Sequence, residues 1–258
     1  MLDKIGYVFP HKKDNVPVLS LSNIEDLTSM IVADYNSELL ETPTPFDVDD
    51  FIEFYLEYNI EEVHLSKNQC YLGRCVFNDS DVIPIYLPEK DDVTWLTNRS
   101  KTILLDARLS EQPNMNHLRR FTLMHEAGHA VQHQKYYSDT QNQLALFDVD
   151  DYTSEKLNKN ASSRPENVLT FGERRRLVTE EDWLEYQANT FASYMLMNKR
   201  SFSKFLENQS YSKSCSRLQR LLIIQEISSV YQVSNDAAAI RLSIHDKQLE
   251  NEQQVSLF

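Results

Sequence analysis

Apolar positions recur along the chain with two different periods, and the changes between them predict a helical start, a short-strand middle and a helical end. Leu27, Met30, Ile31 and Tyr35 keep the three-and-four spacing of an amphipathic helix, with Ser22 as cap and Glu25 three positions on. Pro43 and Pro45 end that helix. A second amphipathic helix is expected over 47–58, with Phe51, Phe54 and Tyr55 on one side. The period then shortens. Residues 69–77, Val82–Leu87 and Thr102–Asp106 are β-branched or aromatic runs, parted by turn residues such as Asn78-Asp79-Ser80-Asp81. They read as a small sheet, with Ile103-Leu104-Leu105 in a buried strand.

Helical spacing returns at Pro113 and Asn114 or Asn116 and continues to about residue 135. Residues 138–178 are polar, carry Arg174-Arg175-Arg176, and read as a long, partly ordered excursion, a feature that is usually functional or mobile. Thr179-Glu180-Glu181-Asp182 caps a further helix reaching about Met197. A last helical pair is expected at 214–231 and 235–245, with Ser234 capping the second. Residues 1–20, with Pro10 and Pro17, read as a loose lead-in. The expected fold class is α+β: a helical segment over 1–65, a small sheet packed on two long helices over 66–200, and a helical segment with a helix-turn-helix look over 201–258.

Composition narrows the function. The chain has 258 residues, 41% hydrophobic and 25% charged, which is ordinary for a protein with a buried core. It has only 4 Gly and no phosphate-binding glycine loop. A formal charge of -13 disfavours nucleic acid and anionic membranes as partners. The C-terminal pair offers Arg241 and Lys247 against Asp236 and Asp246, too balanced for a DNA reader, so packing or partner docking is the favoured role. Three Cys make no disulfide framework, and Cys70 and Cys75 lack the second pair a zinc site of that kind needs. The N-terminus lacks a signal-peptide layout and no run is apolar enough to span a membrane, so the expected compartment is the reducing cytoplasm.

The chemistry centres on His125-Glu126-Ala127-Gly128-His129, an HExxH pattern on a predicted helix. Two His four apart share one face, so both imidazoles reach one ion. Glu126 projects to one side of the pair, where it reaches metal-activated water as a general base. A catalytic zinc needs a third protein ligand and an open position. A third His at metzincin spacing is absent. Glu185 lies in a largely apolar helix, where an unpaired carboxylate is costly and a metal removes the cost. Its position near that helix's N-terminus, where acids are favoured at the surface, is an equal alternative from spacing alone. His133 lies four residues past His129 and reads as a hydrogen-bond donor, an alternative ligand or an ordinary helix histidine. Asn189, four past Glu185, can accept the outer ring N–H of His125 or His129, or simply pack. Tyr186 and Tyr194 can stabilise an oxyanion or fill the core.

The stretch Arg119-Arg120-Phe121-Thr122-Leu123-Met124-His125-Glu126-Ala127-Gly128-His129 resembles the signature of the ImmA/IrrE family of metallopeptidases. Glu185-Tyr186-Gln187-Ala188-Asn189-Thr190-Phe191-Ala192, followed by Met195-Leu196-Met197, resembles its second motif. Leu72-Gly73-Arg74-Cys75-Val76-Phe77, Thr102-Ile103-Leu104-Leu105-Asp106 and Val233–Leu242 resemble further parts, so the likeness covers most of the chain. It implies that Glu185 is the glutamate ligand, that one zinc ion is held per chain, and that the substrate is a protein, typically a helix-turn-helix repressor of a phage or mobile element. Asn198 stands where the family usually has Pro, and the excursion over 138–178 is longer than usual. The competing function is a peptidase-like sensor that sequesters a regulator around a structural zinc; the intact Glu126 speaks against it.

Overall fold

The computed structural model describes residues 6–12, 15–79, 82–137, 162–163 and 177–255. Helix α1 (Leu21–Asn36) opens at Ser20, not Ser22: Ser20 and Asn23 form a reciprocal capping box. Glu25, expected to sit in that box, is instead buried within the helix. The short helix Val48–Asp50 runs into a π-helical turn, Phe51–Tyr55, where the Leu56 amide reaches back five residues to Phe51. That wider winding rotates Phe54 out of the expected apolar side, and it is 76% exposed.

Strands β1 (Asn59–Val63), β2 (Gly73–Val76), β5 (Thr102–Asp106) and β6 (Ser162–Ser163) form one sheet in the order β1-β5-β2-β6. β1 runs parallel to β5; β2 is antiparallel to both β5 and β6. β3 (Val82–Leu87) and β4 (Asp92–Thr97) make a separate antiparallel hairpin. β5 is buried at every position, as the run Ile103-Leu104-Leu105 requires. Its side chains alternate between two apolar layers. Ile103 and Leu105 join the main core against the helices, while Leu104 packs with Leu65, Val76 and Ile83 in a smaller cluster that the hairpin helps to close.

Helix α2 (Asn116–Gln132) follows a 3-10 turn at Pro113–Met115 and lies on the sheet. Of the polar excursion over 138–178, all but β6 and residues 177–178 lies outside the described residues. Helix α3 (Glu180–Leu196) starts from a capping box of Thr179 and Asp182, with acids filling its first turn. Asn198 caps α4 (Lys199–Asn208), accepting from the Arg200 amide. The boundary expected at residue 200 therefore falls inside a helix. Helices α5 (Arg217–Tyr231) and α6 (Asn235–Val255) end the described chain, α6 running ten residues past its expected limit. The fold is α+β, and one hydrophobic cluster spans it from Phe9 to Leu242.

The C-terminal helices are fastened to the core by a buried cation. Arg241 is fully buried, so it adds nothing to an exposed basic face. Its Nε donates to the Met197 carbonyl at 3.0 Å, its guanidinium lies 4.6 Å from the Tyr194 ring centroid, and a terminal nitrogen faces Glu25 at 3.4 Å. Removing one member of a buried ion pair strands the other. Arg241→Met is expected to lower the free energy of unfolding by about 3 kcal/mol, the lower end of the usual range, because Lys199 and Gln248 still face Glu25. Denaturant titration measures this, and a loss near zero would show that the anchor is incidental.

Candidate metal centre

Helices α2 and α3 pack against each other, and α2 rests on β2 and β5. Close approach depends on Gly128. A Cβ there would lie 3.2 Å from the Ala188 Cα and 3.2 Å from Phe191 Cδ1. That proximity brings Glu185, on the turn of α3 preceding Ala188, up to the two histidines of α2.

The ring atoms His125 Nε2 and His129 Nε2 are 3.1 Å apart. The Glu185 carboxylate sits 3.4 Å from each, Oε2 against His125 and Oε1 against His129. A tetrahedral zinc with bonds of about 2.0–2.1 Å spaces its ligand atoms about 3.3–3.4 Å apart, and the three separations observed lie around that value. Two imidazoles and one carboxylate form a zinc donor set that leaves a fourth position open. His125, His129 and Glu185 are thus a group able to hold a metal ion. Both rings are fully buried, while the Glu185 side chain keeps 19% exposure, so it is not an ordinary surface acid of the helix end.

The electrostatics follow from this crowding. Burial alone would lower the His125 pKa, yet Glu185, with help from the Glu126 charge and the Asn189 hydrogen bond, outweighs it and raises the value. Burial would raise the Glu185 pKa, yet hydrogen bonds and charge from His125 and His129 hold it far below the usual carboxylate range.

The outer ring atoms are held too. His125 Nδ1 is 3.0 Å from Asn189 Oδ1, so of the two histidines Asn189 could serve it meets His125. His133 is buried, with Nδ1 2.8 Å from His129 Nδ1 and Nε2 3.0 Å from Gln187 Oε1. Burial and the neighbouring His129 push its pKa well below the usual value.

Glu126 is fully buried on the side of α2 that faces β2. It lies close enough to Cys75 that its charge, after burial itself, helps push that thiol's pKa up. Tyr186 meets Trp183 edge-on, 6.3 Å between centroids, and Tyr194 lies under Arg241.

Three groups escaped the sequence reading. Tyr137 is buried, stacked on Phe77 at 4.8 Å, and its ring lies 5.9 Å from His129. Gln187 and the carbonyl of Pro17 are joined by a 3.1 Å hydrogen bond across 170 positions. Tyr137 continues the four-residue stripe of His125, His129 and His133, which was a usable signal. Nothing local marked Pro17.

Gly73 explains how β2 fits over Glu126. A Cβ there would come within 2.8 Å of Thr122 Cγ2 and 2.9 Å of Glu126 Oε1. Helix α2 cannot retreat, because α3 backs it at Gly128. Gly73→Ala is expected to destabilise the fold by about 1–3 kcal/mol through overpacking while leaving metal uptake the same as in the wild-type chain. Denaturant unfolding and metal analysis read the two effects separately, and unchanged stability would mean that strand and helix part freely.

No curated protein matches the chain. No helix among the described residues is long and apolar enough to cross a membrane. Residues 172–243 match the family model of peptidase family M78, the IrrE N-terminal-like domain. The matched stretch holds Glu185, Gln187 and Asn189 and begins after the histidine-bearing helix. Together with the cluster of His125, His129 and Glu185, it is consistent with an ImmA/IrrE-family metallopeptidase.

Proposed function

We propose that the chain is a zinc-dependent endopeptidase of the cytoplasm, in which His125, His129 and Glu185 hold one zinc ion and Glu126 is the general base. The carrying observation is the convergence of two Nε2 atoms and one carboxylate to within 3.1–3.4 Å of one another. Free Cys70, Cys75 and Cys215 suit a reducing compartment. The substrate, from the family resemblance, is a helix-turn-helix repressor of a phage or mobile element, cleaved to relieve repression.

A bound zinc ion supplies Lewis acidity to the scissile carbonyl and to water. The protein's own groups do the rest. Asn189 fixes the rotation of His125, and the close packing of α2 and α3 fixes Glu185 against both rings. Glu126, packed against Gly73 of β2, takes a proton from the attacking water and passes it to the leaving amine. Burial keeps bulk water from competing for that proton.

Glu126→Gln removes the base and leaves the three metal-holding residues in place. With a helix-turn-helix repressor of a phage or mobile element as substrate, cleavage is expected to fall by about 10²–10⁴-fold while metal analysis still finds one zinc per chain. Full cleavage by the variant would end the proposed mechanism. Release of intact repressor by the wild-type chain, with and without chelator, would favour a sensor that sequesters its regulator.

A further inference from the structure

A run of hydrogen bonds leads from the metal centre to the N-terminal segment, and its direction is fixed at the far end. The Pro17 carbonyl can only accept, so Gln187 must present its Nε2 amide to it, at 3.1 Å. Gln187 Oε1 then faces His133 Nε2 at 3.0 Å and can only accept, so His133 carries its proton on Nε2. The bare His133 Nδ1 must accept from His129 Nδ1, 2.8 Å away, which places the His129 proton on Nδ1. In a neutral His129 the Nε2 atom is then left bare, and it is this atom that faces His125 Nε2 and Glu185.

The same logic holds for the other histidine in one step, since Asn189 Oδ1 accepts from His125 Nδ1. Every partner along both chains is an uncharged group. His133 and Gln187 are buried, so water does not compete for these bonds. The N-terminal segment is itself held in place. Phe9 and Val16 join the core, His11 pairs with Pro17 as a bridge, and the Val18 amide donates to the Pro10 carbonyl.

We propose that His133, Gln187 and the Pro17 carbonyl form a one-way hydrogen-bond chain that sets the tautomer and rotation of His129, making the N-terminal segment part of the metal centre. His133 and Gln187 are positioning residues: they act through His129 and do not themselves ligate. The inference rests on the metallopeptidase reading, since it assigns a purpose to the bare Nε2 atom. Its reach is longer than that reading needs, because it ties metal affinity to a backbone carbonyl 170 positions from Gln187.

The test uses the full-length chain and zinc alone. Competition against a chromophoric chelator is expected to show zinc affinity weakened by about 10–100-fold in His133→Leu and in Gln187→Met. His133→Gln, which can accept and donate at once, is expected to recover part of the loss; a purely space-filling role would not distinguish Gln from Leu in this way. Where a variant does not fold, long-range nitrogen–proton NMR on the zinc-loaded wild-type chain, with only 7 His to assign, reads the tautomers directly. Protons on His125 Nδ1, His129 Nδ1 and His133 Nε2 support the chain, and a His133 proton on Nδ1 overturns it. Wild-type zinc affinity in folded His133→Leu and Gln187→Met overturns it as well. Failure of the wild-type chain to take up zinc would instead sink the metallopeptidase reading beneath it.

Discussion

Two imidazole nitrogens and a carboxylate are held within 3.1–3.4 Å of one another in a largely buried place. Such a cluster is costly unless a cation or protons fill it. Much of the molecule serves to keep the three groups there. The absence of a side chain at Gly128 lets α3 close on α2. The capping box at Thr179 starts α3 just ahead of Glu185. Strand β2, bare at Gly73, presses on α2 where Glu126 lies.

Helix α3 joins this centre to the rest of the fold. It carries Glu185, Gln187 and Asn189, which are turned toward His125, His129 and His133. Its second half carries Tyr194 and leads into Met197, whose carbonyl receives Arg241 from α6. Glu25 of α1 faces the same guanidinium. The helix that supplies the carboxylate is therefore fixed at its far end by a buried ion pair contributed by the first and last helices. This gives the C-terminal helices a packing role: the most basic-looking feature of the expected helix-turn-helix, Arg241, is turned inward.

How much of this was legible depended on distance along the chain. The HExxH helix was readable because two histidines four residues apart obey one local period, and α3 was readable from Thr179 and its acidic first turn. Glu185 was ambiguous, since spacing alone fits a surface acid equally well; the fold brings its carboxylate to 3.4 Å from both rings. β1 was missed because its pattern Asn59-Ile60-Glu61-Glu62-Val63 is that of a largely exposed edge strand, held by pairing to β5 forty positions away rather than by its own apolar content. β4 and α4 were missed as well. The alternation of Val93, Trp95 and Thr97 was a legible strand signal, whereas α4 is short and mostly polar. The cap of α1 shifted by two residues because Ser20 and Ser22 are both competent, and Asn23 completes a box only with Ser20. The π-turn that exposes Phe54 leaves no trace in a 3.6-residue pattern. Pro17, which looked like part of a loose lead-in, owes its role to a contact made only in the folded state.

The choice of uncharged partners for the histidines has its own physical reason. A metal-holding histidine is often oriented by a carboxylate, which raises its basicity. Here Asn189, His133 and Gln187 take that place. Glu185 and Glu126 already bring two negative charges to a buried site, and a divalent cation would balance them. A further carboxylate behind either ring would leave a surplus charge in a low-dielectric interior, at a cost of several kcal/mol or a shifted proton. An amide and a neutral imidazole orient the rings without that surplus. The penalty is weaker orientation per bond, since neutral hydrogen bonds are roughly half as strong as charged ones. A chain of successive bonds ending on a fixed backbone carbonyl compensates by leaving no link free to reverse.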